Sequence, residues 1–195
     1  MIRPARRAIA LARHGEPALS RKVKLTSAGY RDWWAVYELG GIHDNQTPPD
    51  TLKALAAEAG VIFASTRRRA QETARAVVDG RAFESDIIFI EAPLPPPPLP
   101  AFIRFSPPIW GFIARTAWWL GYSEGDETRP QAEERARRAA DKLIAASDAN
   151  GTVLLLAHGY FNHMIGSALK KRGWALTENQ GFKYWAVRRF QSDRT

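Results

Sequence analysis

The segments Ile9-Ala10-Leu11-Ala12-Arg13-His14-Gly15 and Val153-Leu154-Leu155-Leu156-Ala157-His158-Gly159 carry one pattern at opposite ends of the chain: an apolar run, a histidine, then a glycine. A short apolar run without polar alternation suits a strand buried on both faces, and such strands belong to parallel sheets covered by helices on either side. Two more runs, 61–64 and 87–90, read the same way, and stretches of helical period separate the four. Strand and helix in alternation predict an α/β fold: three layers, α/β/α, around a mostly parallel central sheet.

The clearest helix is expected over about 129–147, where Ala132, Ala136, Ala139, Ala140, Leu143 and Ile144 mark one face. Thr128 with Gln131 resembles a capping box, and Pro130 sits in the first turn, where its missing N–H does little harm. Further helices are expected over 26–38, 50–59, 67–78 and 161–171, and a last strand over 183–190 closes one edge. Residues 93–108 interrupt the alternation with eight of the thirteen prolines, and Trp110, Trp118 and Trp119 follow. An insertion of that length is a decorated crossover covering the core or a lid facing substrate. The segment PLPPPPLP is only a weak polyproline ligand. The chain is read as a single domain over 1–195, with the Pro/Trp-rich insertion at about 92–126.

The 195 residues hold 28 Lys and Arg against 20 Asp and Glu, a formal charge of +8. Almost all of the excess lies in residues 1–31, where Arg3, Arg6, Arg7, Arg13, Arg21, Lys22, Lys24 and Arg31 face only Glu16, for a net +7. Such a patch attracts nucleic acid, anionic lipid or a phosphorylated small molecule, and composition does not choose among them. The absence of cysteine excludes disulfides, thiolate nucleophiles and Cys-based zinc sites. The N-terminus imitates a signal peptide, but its apolar run, 8–12, is shorter than the roughly 7 to 15 residues of a secretory core and reads as a strand. Residues 101–122 are rich in Phe, Ile and Trp, yet Arg104, Pro107, Pro108 and Arg115 break them well short of the ~20 apolar residues of a membrane span.

Ligands of open α/β sheets bind outside the carboxyl ends of the strands. His14 and His158 therefore share one crevice if their strands are neighbours, and the glycine after each lets the backbone turn sharply and approach a ligand. A third strand end, Ser65-Thr66-Arg67-Arg68-Arg69-Ala70, opens a helix with three arginines. Successive helical residues point about 100° apart, so only one or two of these can face the crevice. Arg13, an arginine from 67 to 69 and two histidines make a phosphate cradle, since the guanidinium fork matches a phosphoryl group. Histidine among such donors can attack phosphorus and form a phosphohistidine. The reaction also needs an acid for the leaving oxygen and a base for water, and Glu91, at the end of the remaining run, is positioned to supply both.

The ordered set Arg13-His14-Gly15-Glu16, Leu25-Thr26-x-x-Gly29, Ser65-Thr66-x-x-Arg69-Ala70-x-x-Thr73-Ala74, Glu91 and Ala157-His158-Gly159 resembles the motifs of the histidine phosphatase superfamily, the phosphoglycerate-mutase-like fold. The resemblance spans residues 9 to about 170. It implies that His14 is the phosphorylated nucleophile, that Arg13 and Arg69 bind the phosphoryl group with Arg67 and Arg68 as bystanders, that His158 donates to phosphoryl oxygen, and that Glu91 is the proton donor. It implies no metal and no organic cofactor. Thr66 stands where many members have proline and Glu72 where glutamine is usual. Ser20 replaces an asparagine common in the mutases, the Gly-Trp that follows it there is missing, and Ala92-Pro-Leu-Pro-Pro replaces their basic and aromatic stretch. These departures favour a phosphatase over a mutase.

The expected protein is thus a cytoplasmic phosphomonoesterase acting on a small phosphorylated substrate, with Ser20, Arg21 and Lys22 as candidate substrate contacts. Neither nucleic acid nor membrane is an expected partner, and the Trp-rich segment leaves a homodimer open. The rivals are a phosphoryl-transfer mutase, a phosphoprotein phosphatase, and a non-catalytic module that recognises a phosphorylated ligand or nucleic acid. His163 and His43 read as structural or solvated, and the four histidines do not form an H-E-x-x-H metal motif.

Overall fold

The computed structural model describes residues 7–192, so Arg3 and Arg6 of the basic cluster lie outside the described residues. In it, strands β1 (Ala8–Arg13) and β4 (Thr152–Ala157) are parallel neighbours, with Ile9 beside Val153 and Arg13 beside Ala157. Strand β2 (Val61–Ser65) lies parallel on the other side of β4, and β3 (Glu84–Asp86) lies beyond it. On the far side of β1 the sheet turns antiparallel through β6 (Val187–Gln191) to the outer β5 (Ala175–Asn179). The order is β3-β2-β4-β1-β6-β5, a mixed six-stranded sheet that is mostly parallel.

Alternate residues of the central strands serve two cores, as the pleat requires. Ile9, Leu11, Phe63, Val153, Leu155 and Ala157 pack with helices α5 (Arg129–Asn150) and α6 (Gly159–Lys171). Ala10, Ala12, Ile62, Ala64, Leu154 and Leu156 pack on the other face, with α2 (Asp50–Glu58) and α3 (Arg68–Val77). Both faces are covered, which is why these runs are continuously apolar. The capping box at Thr128 and Gln131 forms as expected and starts α5.

Two expectations need correction. Residues 87–90 are not a strand: the pairing is made by Glu84–Asp86, and Ile87–Phe89 is a 3-10 turn. The Asp86 side chain accepts from the Ile88 N–H at 2.9 Å, which ends the extended backbone and swings Phe89 into the core while Ile87 stays exposed. Residues 183–190 do not form an edge strand. The strand begins only at Val187, after a turn in which Trp185 takes φ 63°, and it lies inside the sheet, with β5 as the edge. After the prolines the chain forms α4 (Pro107–Trp119), an element the sequence reading did not place, with Pro107 and Pro108 in its first turn.

Helix α4 packs on α1 (Ser27–Leu39) around a third, smaller core of Tyr30, Trp110 and Ala114, with Leu25, Trp33, Trp34 and Phe105 against it. An antiparallel bridge between Leu25 and Phe105 joins the two segments, and Trp110 Nε1 donates to the Leu25 carbonyl at 2.7 Å. The insertion is therefore ordered against α1, and together they stand as a wall above the carboxyl ends of the strands.

Candidate active site

Because β1 and β4 are in register, the histidines that end them meet, with ring centroids 5.3 Å apart. His14 is 2% exposed and His158 is fully buried. His14 Nδ1 lies 2.7 Å from the Gly15 carbonyl. That oxygen can only accept, so Nδ1 carries the proton and Nε2 keeps its lone pair. Burial, then the Arg69 and Arg13 guanidiniums, hold the His14 pKa well below the usual imidazole range. Burial, then Arg69 and the neighbouring His14, do the same for His158. Both rings are neutral at neutral pH.

Gly15 is required sterically: a Cβ there would come 2.4 Å from the Trp185 ring, and its N–H donates to Thr73 Oγ1 at 2.9 Å. His158 Nε2 lies 2.8 Å from Ser65 Oγ, which also accepts from the Arg67 N–H at 3.3 Å. With that oxygen already accepting, the arrangement that uses its proton has Ser65 donate to Nε2, leaving Nδ1–H of His158 as a donor. Among the described residues none accepts from that Nδ1.

Arg69 is buried to 1% exposure by a specific clamp. Its Nη2 pairs with Glu38 Oε1 at 2.7 Å, its Nη1 donates to the Tyr37 carbonyl at 3.1 Å, and its guanidinium lies over the Tyr37 ring at 4.7 Å. The other Glu38 oxygen pairs with Arg67 at 2.7 Å. Arg67 is thus part of the same network and not the solvated bystander expected, whereas Arg68 is exposed and pairs with Glu72. Arg13 lies over the Tyr184 ring at 4.3 Å and donates to the Phe182 carbonyl. The Nε atoms of Arg13, Arg67 and Arg69 are buried without partners among the described residues. Buried donors in need of an acceptor, clustered beside two neutral imidazoles, are what a multivalent oxyanion would complete.

Glu91 sits across this floor at the start of α6. Its Oε1 accepts from the Phe161 and Ala92 N–H groups at 2.8 and 3.0 Å, and its Oε2 from Tyr160 N–H at 3.2 Å. The cleft above has a volume of about 570 Å³ and is lined by Arg13, His14, Arg69 and Glu91, with Arg21 at its side. Its wall is the aromatic cluster of α1 with Phe112 and Arg115 of α4. Arg115 lies between the Tyr160 ring, at 3.8 Å, and the Trp118 ring, at 4.8 Å.

Of the candidate substrate contacts, Arg21 lines the cleft and donates to Tyr184 Oη at 2.9 Å. Ser20 and Lys22 are exposed beside it and do not line it. His43 is exposed, and His163 is too, against Arg188 at 3.4 Å; neither lines the cleft. Among the described residues no cluster of acidic and histidine side chains is arranged to hold a metal ion. Glu38, Tyr184 and Arg115 were missed by sequence reasoning. Each makes the contact that places it at the site with a residue distant in sequence, Glu38 with Arg69, Tyr184 with Arg13 and Arg115 with Tyr160, and none stands in a recognisable local pattern.

The fold is a phosphoglycerate-mutase-like α/β architecture. No protein-family model matches the sequence, and no curated protein sequence matches it. Among solved structures it is similar to a mycobacterial glucosyl-3-phosphoglycerate phosphatase, at TM-score 0.55 and 21% identity over 85% of this chain and 80% of that one. It is also similar to a phosphoserine phosphatase from Entamoeba histolytica, solved with 3-phosphoglyceric acid, at TM-score 0.58 and 14% identity over 96% of this chain and 98% of that one.

Proposed function

We propose that the protein is a phosphomonoester hydrolase that works through a phosphohistidine on His14. The observation that carries this reading is the state of His14: neutral, oriented by the Gly15 carbonyl through Nδ1, and set with a free Nε2 lone pair among arginine nitrogens that have no acceptor. The solved phosphatases of the same fold support it.

In the first half-reaction the phosphoryl group lies among Arg13, Arg69 and the Nδ1–H of His158, which neutralise its oxygens. The His14 Nε2 lone pair forms the N–P bond as the P–O bond to the leaving oxygen breaks, and Glu91 passes its proton to that oxygen. In the second, water attacks phosphorus, Glu91 takes the water proton, and the N–P bond breaks to return neutral His14 and inorganic phosphate. Positioning and charge neutralisation supply most of the acceleration. The reading needs no metal or organic cofactor. It treats the chain as one catalytic domain whose insertion walls the leaving-group side of the cleft, and a cytoplasmic site of action is part of the proposal.

The test is hydrolysis of a generic aryl phosphate by the wild type and by His14→Ala. Turnover is expected to fall at least 10⁴-fold, on the scale seen when a covalent nucleophile is removed. Retained turnover in the variant refutes the mechanism.

A further inference from the structure

Helix α4 is apolar on two opposite sides. Pro107, Trp110, Ala114 and Trp118 face inward and are buried. At about 100° per residue, Ile109, Phe112, Trp119 and the following Leu120 fall on the other side, with Thr116 among them and no charge. Ile109 and Trp119 are about half exposed, Phe112 is 74% exposed and Leu120 85%. A surface helix ordinarily turns polar side chains outward, so this stripe departs from the rule. Phe102, 83% exposed on the turn before the helix, extends it.

The charge beside the stripe is mostly positive: near Trp119 the acid Glu133 is paired with Arg129, whose guanidinium lies over the Trp119 ring. Residues 17–31 and 92–123, which the Leu25–Phe105 bridge joins side by side, contain no Asp or Glu. Arg21, Lys22, Lys24 and Arg104 are exposed along them. Of the acids that bound these two segments, Glu124 is engaged by Arg31, while Glu16 and Asp32 are exposed. Two-fold self-association through this face would bring its cations toward their own copies, so a second copy of the chain matches it poorly. Apolar side chains flanked by cations are what the headgroup boundary of an anionic bilayer accepts. Pro108 and Phe112 line the catalytic cleft as well, so the stripe stands at the cleft mouth.

We infer that the outer side of α4, with the adjoining segments 17–25 and 101–106, is a docking face for an anionic lipid surface, and that the phosphomonoester is presented there on an amphiphile. The second clause rests on the phosphatase reading; docking does not. The inference departs from the sequence expectation of no membrane partner. Among the described residues no helix is long and apolar enough to cross a bilayer, and docking requires none.

The test is co-sedimentation with vesicles of phosphatidylcholine alone or mixed with phosphatidylglycerol, which carries no phosphomonoester. The wild type is expected to bind the mixed vesicles at least ~10-fold more strongly at low salt and to be released as salt rises. Lys24→Gln with Arg104→Gln lowers binding on the order of 25-fold, roughly fivefold per cation. Phe102→Ser with Leu120→Ser abolishes it, while both double variants keep wild-type turnover of a soluble aryl phosphate. His14→Ala binds as the wild type does, which separates docking from chemistry. No binding of the wild type to mixed vesicles, or undiminished binding of the Phe102 and Leu120 variant, overturns the inference. So does a wild-type dimer that this variant dissociates, since the stripe then belongs to a second copy. Faster hydrolysis of phosphatidic acid in the mixed vesicles than of a soluble phosphomonoester supports the second clause, and equal rates overturn that clause alone.

Discussion

Ser65 and Glu38 touch no substrate in the proposed mechanism, yet each fixes a group that does. Ser65→Ala removes the one partner of His158 Nε2. The ring then loses its preferred tautomer, and kcat should fall about tenfold, the equivalent of one net hydrogen bond, with KM little changed. Steady-state kinetics on an aryl phosphate check this. Glu38→Ala leaves the Arg69 charge buried without its carboxylate, and urea unfolding should show a loss of about 3 kcal/mol or more. Glu38→Gln keeps an acceptor and should cost less than half as much. His14, Arg13, Arg69 and His158 were legible because each follows a strand end or opens a helix within an ordered motif. Glu38 was not, because nothing at 38 announces that α1 will pass beside residue 69.

The elements that position the site differ in how plainly their sequence declares them. The strands carrying Ile9 to Ala12 and Val153 to Ala157 are apolar throughout and are buried on both faces, so their pattern and their fate agree. The run Ile87-Ile88-Phe89-Ile90 has the same composition, but Asp86 caps its first turn, and a four-residue apolar run cannot distinguish a strand from a tight helical turn. Strand β5 gave no signal because it is an exposed edge strand with little apolar alternation. Helix α4 was hidden by the prolines before it, which end in its own first turn. Its two sides make opposite predictions. Trp110→Ala empties a fully buried position and removes the bond to Leu25, and should cost about 3 to 5 kcal/mol in unfolding experiments. Phe112→Ala, on the exposed side, should change stability by less than about 0.5 kcal/mol.

At the scale of the whole molecule residues 8–13 and 152–157, far apart in sequence, are brought together as one parallel strand pair, and the meeting of His14 and His158 in the proposed site is a product of that pairing. Both imidazoles are buried neutral, with folded pKa values below the unfolded value of about 6.5. As pH falls through that value the unfolded chain takes up protons that the folded one refuses, so stability must fall. Tm should be steady above pH 7 and decline between pH 7 and 5, as stability falls by at most about 1.4 kcal/mol per pH unit for each histidine. His158→Asn should flatten the decline, and a Tm independent of pH over this range would contradict the buried, neutral state. The basic excess at the beginning of the sequence is divided in the folded molecule. Arg13 lies on the cleft floor, Arg21 at its side, and Lys22 and Lys24 outside it. The central claim is tested most directly by rapid quench of the enzyme with a phosphate-labelled monoester, followed by mapping of the labelled peptide. The account predicts an acid-labile, base-stable label on His14 that is lost in His14→Ala. A label on another residue, or turnover with no phosphoenzyme on that timescale in the wild type or in a variant that slows the second half-reaction, such as Glu91→Gln, would contradict it.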